Sequence, residues 1–219
     1  MYFGTTTASN TLDIDDISVI QLGSTLNPNS SGMYSSIWHD YDHAVTGTVS
    51  GATAVIPTGS NLGGVYFNGT DSKLSGSGMD SLKADITQVF DFYFQGLSTG
   101  TATLFDNGNL RVAVDYNSGN ERIVVYSDNT TGATSASGSV NPNTWHHLVY
   151  TRTSTGDTNI YIDGALSGTG SSGIPAGSDT WYFGSDGGSA SYFRGTVGRV
   201  TTYNRILTED EIQRVYDFR

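Results

Sequence analysis

Twenty-one acidic residues, four histidines and a scatter of aromatic rings are the side chains of this 219-residue sequence that could do chemistry; cysteine is absent. A sugar-cleaving pair needs two carboxylates about 5–9 Å apart across the scissile bond. Only three of the acids are glutamates: Glu121, Glu209 and Glu211. Glu121 falls beside a turn and the other two in a segment with helical character, so no strand gathers them. His146 and His147 are adjacent. On a strand their side chains would point to opposite faces and could not chelate one ion together. One of them shares a face with Trp145 and Val149, which suits a hydrogen-bonded, half-buried imidazole. His39 and His43 have a spacing that would suit a helix, but residues 38–43 read as a loop.

Two loop sequences offer the oxygens that hard cations take, carboxylates and carbonyls on flexible backbone. They are Asp106-Asn107-Gly108-Asn109 at a strand end and Ser185-Asp186-Gly187-Gly188 before another. The same residues make tight turns without any ligand. Sugar binding has a different requirement, an exposed aromatic platform beside polar groups. Tyr182 and Tyr192 stand near one set of loops with Trp181, and Trp38 near another with Tyr34 and Tyr41. Strand alternation separates Trp181 from Tyr182, so one of the two can be exposed. Trp38, Tyr182 and Tyr192 are therefore the candidate ligand contacts, against the ordinary use of such rings in packing.

The elements that must position these residues are strands. Gly numbers 28 and Pro 4, with 13 Tyr and 9 Phe, and Lys and Glu are scarce. Glycine at this level with β-formers, and without a fixed period, predicts many short strands and tight turns. In residues 89–95 three phenylalanines alternate with Asp91, Tyr93 and Gln95, a half-buried strand. Residues 110–116 and 122–126 flank an Asn/Gly turn and predict a hairpin; 145–153 and 158–163 predict a second. Further strands are expected at 17–22, 53–56, 64–68, 181–183 and 192–203. At the C-terminus Thr208-Glu209-Asp210-Glu211 matches a capping box. Ile212, Val215 and Tyr216 follow at helical spacing, so a short terminal helix should latch onto the sheet. No linker splits the chain, which reads as one domain after a 16-residue N-terminal arm (1–16; 17–219).

A net charge of −11 with 10 Lys+Arg opposes phosphate-backbone binding, so no nucleic-acid partner is expected. No run of about 18 apolar residues offers a membrane span. Without cysteine there are no disulfides or thiolate metal sites.

Taken in order, several segments resemble the concanavalin A-like jelly roll of laminin G-type domains. In the second half these are Asn143-Thr144-Trp145-His146-His147-Leu148-Val149-Tyr150-Thr151-Arg152 and Asn159-Ile160-Tyr161-Ile162-Asp163-Gly164. Tyr182-Phe183-Gly184-Ser185-Asp186-Gly187-Gly188, Phe193-Arg194-Gly195-Thr196-Val197-Gly198-Arg199-Val200 and 203–212 complete it. Residues 34–40 and 65–71 resemble the first half of the same pattern. The resemblance implies an all-β, two-sheet antiparallel β-sandwich with a short C-terminal α-helix. It also implies that any cofactor would be one calcium ion at a loop rim, with Asp106 and Asp186 as its ligands. Relatives that cleave sugars resemble one another in a Glu-x-Asp-x-x-Glu strand motif, which this sequence lacks, so catalysis is not expected.

The family spans glycan binders, adhesion modules and phage structural proteins. The first residues carry neither a basic nor an apolar leader, yet the composition suits exposure outside cells. Together these lead to the expectation of a phage virion surface protein, a capsid decoration protein or fibre-like appendage. Its partners would be capsid or tail proteins, and it could assemble as a homotrimer. The alternative is a carbohydrate-binding or adhesion module of a secreted bacterial protein, with a glycan as partner.

Overall fold

The alternation of residues 89–95 becomes part of a strand, Ile86–Phe94, that is paired along both of its edges. The computed structural model describes residues 22–26, 37–39, 46–51, 53–55, 64–77, 85–97, 99–108, 110–117, 119–127, 130–171, 173 and 180–218. The expected arm, residues 1–16, lies outside them, as do His43, Tyr34, Tyr41 and nearly all of the strand expected at 17–22.

The strands are β1 (Leu22–Leu26), β2 (Ile37–His39), β3 (Thr46–Ser50), β4 (Thr53–Val55), β5 (Gly64–Asn68), β6 (Lys73–Gly76), β7 (Ile86–Phe94) and β8 (Thr101–Asp106). They continue with β9 (Leu110–Asn117), β10 (Asn120–Ser127), β11 (Thr130–Thr134), β12 (Thr144–Arg152), β13 (Asp157–Ile162), β14 (Ala165–Ser171), β15 (Trp181–Phe183) and β16 (Arg194–Tyr203). One helix, α1 (Glu209–Asp217), closes the described chain. It is far too short to cross a membrane, and no other described helix exists to do so.

Every pairing is antiparallel, and the order is β2-β3-β6-β15-β8-β9-β10-β11-β14-β13-β12-β7-β16-β5-β4, with β1 also on β16. Both predicted hairpins form, β9–β10 and β12–β13. The expected two sheets are linked by hydrogen bonding rather than separate, because β11 meets β14 through Ala133 opposite Gly170. This junction is a close approach of backbones: a Cβ on Gly170 would stand 2.0 Å from the Gly132 carbonyl oxygen, and one on Gly168 1.9 Å from that of Thr134. A two-layer arrangement fits the packing, since inward residues from strands on either side of the β11–β14 junction share one core. Phe90, Phe92, Leu148 and Tyr150 of β7 and β12 join Val112, Val114, Ile123 and Val125 of β9 and β10. Phe193 joins β5 and β7 across β16, edge-on to Phe67 and Phe92 and stacked on Phe94 at 5.9 Å.

The opposite face of β7, β12, β13 and β16 carries Val89, Val149, Tyr161 and Tyr203, which α1 covers with Ile212 and Val215. The predicted capping box is present, with the Thr208 hydroxyl accepting from the Glu211 amide and the Glu211 carboxylate accepting from the Thr208 amide. Arg205 adds two hydrogen bonds to Glu211, at 2.6 and 2.8 Å.

Candidate functional site

Four of the five residues singled out from sequence come together at one rim of the sheet. Tyr182 on β15 lies directly opposite Asp106 at the end of β8. The loop after β15 then bends back, its Asp186 amide donating to the Ala190 carbonyl at 2.8 Å, and Ser191 accepts from the Thr103 amide at 2.8 Å. Asp186 and Tyr192 are thereby laid against the end of β8.

Asp106 is the hinge of this cluster and is only 3% exposed. Its carboxylate accepts from two backbone amides, Gly108 at 2.9 Å within its own turn and Gly187 at 2.7 Å across the rim. Removal from water nevertheless pushes its pKa above the ordinary aspartate value, with the neighbouring Asp186 charge adding to the rise. The two amides and Arg111 pull the other way. Arg111, directly opposite Asp106 on β9, forms an ion pair with Asp186. The Arg111 guanidinium also lies over the Tyr126 ring, 4.3 Å from its centre, a cation–π contact. Lys73 on β6 reaches across to donate to the Gly188 carbonyl at 2.5 Å, which also accepts from the Tyr192 hydroxyl at 3.3 Å.

The loop sequence makes this geometry possible. Gly187 and Gly188 both have positive φ, and a Cβ on Gly188 would sit 2.7 Å from the Tyr182 ring. A side chain there would both strain the backbone and displace the ring. The result is two half-exposed tyrosines beside Asp186, Arg111 and Lys73, with Asp106 buried next to them. Such a surface can stack a sugar ring and hydrogen-bond its hydroxyls.

Trp38 is not part of the same row. The registers place it in line with Gly47, Gly76 and Trp181 across β2, β3, β6 and β15, whereas Tyr182 belongs to the adjacent row. Trp181 is fully buried in the core, as its separation from Tyr182 by strand alternation allows.

Calcium does not fit the rim as built. Both Asp106 oxygens already accept amide hydrogens and Asp186 is paired with Arg111, whereas calcium takes 6–8 oxygens. Among the described residues no three His, Asp or Glu side chains are grouped to hold a metal ion.

The adjacent histidines do point apart, and both are more deeply buried than a half-buried reading expects. His146 packs on Phe92, its ring centre 5.7 Å away, with its Nδ1 2.8 Å from the Asp163 carboxylate. His147 shares the outer face with Val149, and its Nδ1 lies 2.7 Å from Asp91 Oδ1. Arg199 Nε stands 3.2 Å from the other Asp91 oxygen. This carboxylate–imidazole pair has the spacing used to activate a nucleophile, but it is sealed under α1 with the Tyr216 ring 5.7 Å from the imidazole. Glu121 is buried beside Val140, and Glu209 and Glu211 stand on α1.

Arg111 and Lys73 are rim residues that sequence reasoning missed. The signal for Arg111 was present: it follows Asp106 across the Asn107-Gly108-Asn109-Leu110 turn, so a hairpin places the two opposite one another.

With this geometry in hand, comparison with known proteins identifies the lineage. A laminin G-type family model, described as the concanavalin A-like lectin/glucanases superfamily, matches residues 67–213. The chain belongs to that superfamily. No curated protein matches it. Among solved structures, this superfamily member is similar to Trypanosoma rangeli sialidase in complex with sialic acid (TM-score 0.67, 21% identity, 89% of this chain). It spans only 32% of the sialidase chain. It is also similar to domain 4 of AbnA, a GH43 extracellular arabinanase from Geobacillus stearothermophilus, in complex with arabinotriose. There the TM-score is 0.65 and the identity 16%, over 90% of this chain and 98% of that one. The binding domain of botulinum neurotoxin serotype D aligns at TM-score 0.68 and 13% identity, over 90% of this chain and 52% of that one. At these identities the likenesses establish the fold.

Proposed function

We propose that this chain is a non-catalytic carbohydrate-binding domain whose ligand meets the rim of Tyr182, Tyr192 and the 184–193 loop. The observation that carries the reading is convergence. Tyr182, Asp186 and Tyr192, all of one short segment, meet Asp106 from a strand remote in sequence, with the rings half-exposed beside fixed hydrogen-bonding groups. The solved arabinanase domain of the same fold in complex with arabinotriose supports it. The absence of catalysis is supported by the state of the acids: Asp106 and Asp186 are both engaged, and the Asp91–His147 pair lies beneath α1.

A glycan array probed with the full chain tests the reading. Saturable binding is expected to at least one oligosaccharide class, about tenfold weaker in Y192A, a loss of about 1.4 kcal/mol. A flat array at high protein concentration would contradict it. Carriage on a virion surface, the placement expected from composition, is compatible with a glycan-binding face. It is a proposal that particles assembled without the chain would test through loss of surface density.

A further inference from the structure

We propose that Arg111 is the resident cation of the rim, a positioning residue that holds the 184–193 loop against β8 without a metal ion. The charges support this directly. Arg111 pairs with Asp186 and its charge also acts on Asp106, while Lys73 brings a second cation to the Gly188 carbonyl, so the rim draws its positive charge from the chain's own residues. Arg111 sits where a bridging ion would have to act, opposite Asp106 in the ladder and paired with Asp186 on the loop.

Arg111 is also held in place. The Tyr126 ring lies under its guanidinium, and its side chain is only 18% exposed against 34% for Asp186. Three ties converge around Gly187, namely Asp106 to the Gly187 amide, Arg111 to Asp186, and Lys73 to the Gly188 carbonyl, beside the backbone bonds from Gly184 to Leu104 and from Thr103 to Ser191. Two of the three ties around Gly187 depend on cationic side chains, so arginine and lysine chemistry helps hold the loop that carries Tyr192. A divalent ion would compete with Arg111 for the same carboxylates.

The test needs no glycan, so its outcome is separate from that of the sugar-binding reading. Thermal unfolding of the wild-type chain is measured in millimolar calcium chloride and in EDTA, alongside a calorimetric calcium titration. The same melting point in both media and no saturable heat are expected. R111M should melt about 2–4 °C lower in EDTA, the shift a domain of this size shows for about 1 kcal/mol. It should regain stability with calcium, while R111K stays indifferent to it. Calcium stabilisation of the wild type would overturn the proposal, a result readable even if R111M does not fold. An R111M chain that melts like the wild type in EDTA would overturn it equally.

Discussion

Glu211 and Asp106 show how opposite environments act on the same kind of acid. Hydrogen bonds from Arg205 and from the Thr208 amide pull Glu211 from 4.5 down to about 2, whereas burial raises Asp106. A carboxylate whose folded pKa is depressed stabilises the fold above its unfolded pKa and loses that contribution as pH falls through the folded one. Stability should therefore decline between about pH 4.5 and 2, and E211Q should flatten that part of the curve; urea unfolding across this range measures it. Asp106 has the reverse sign, because folding disfavours its charge, so its protonation in acid relieves a strain rather than removing a bond. Asp91 is a third case: 2% exposed, it is the shared partner of His147 and Arg199. D91A leaves both without it and should cost about 1–3 kcal/mol. That loss would appear as a lower urea midpoint with the proposed glycan binding unchanged, because Asp91 lies on β7 under α1 whereas the rim is built on β6, β8, β9 and β15. A D91A chain as stable as the wild type would refute the role of the pair.

At the scale of elements, α1 and the β11–β14 junction are the two joints. T208A removes the cap and should cost about 0.5–2 kcal/mol, and I212A about 2–5 kcal/mol by opening the outer core. Both are read as urea midpoints, and α1 should detach before the sheet melts. G170A should do comparable damage for a different reason, since its Cβ would meet the Gly132 carbonyl; normal stability in that variant would refute the close approach. These joints differ in how visible they are in the sequence. The helix announces itself through Thr208, Glu211 and the Ile212/Val215/Tyr216 stripe. The strands with large alternating residues, β7, β9, β10, β12 and β13, are legible for the same reason. β14, Ala-Leu-Ser-Gly-Thr-Gly-Ser, is not, because its glycines serve backbone approach and leave no periodic apolar face. β8, Thr-Ala-Thr-Leu-Phe-Asp, and β6, Lys-Leu-Ser-Gly, lack a clear alternation of large apolar and polar residues, and their identity comes from neighbours in the ladder.

For the whole molecule, the site is a product of topology. Tyr182, Asp106 and Asp186 were recognisable as residue types with chemical potential, but their meeting depends on β15 lying between β6 and β8, a pairing of strands remote in sequence. Arg111 and Lys73 look like ordinary outward charges until that order is known. The main core is closed by the sheet, the outer face of β7, β12, β13 and β16 is covered by α1, and the rim tyrosines Tyr182 and Tyr192 stay half-exposed. The rim is the surface to which the proposed binding is assigned. Backbone amide chemical shifts of the isotope-labelled chain, followed during titration with arabinotriose and with sialic acid in turn, test that most directly. Saturable shifts should centre on Gly187, Gly188, Tyr182 and Tyr192 with at least one of the two sugars. Shifts confined to α1 or to the far end of the sheet, or none with either sugar, would contradict it.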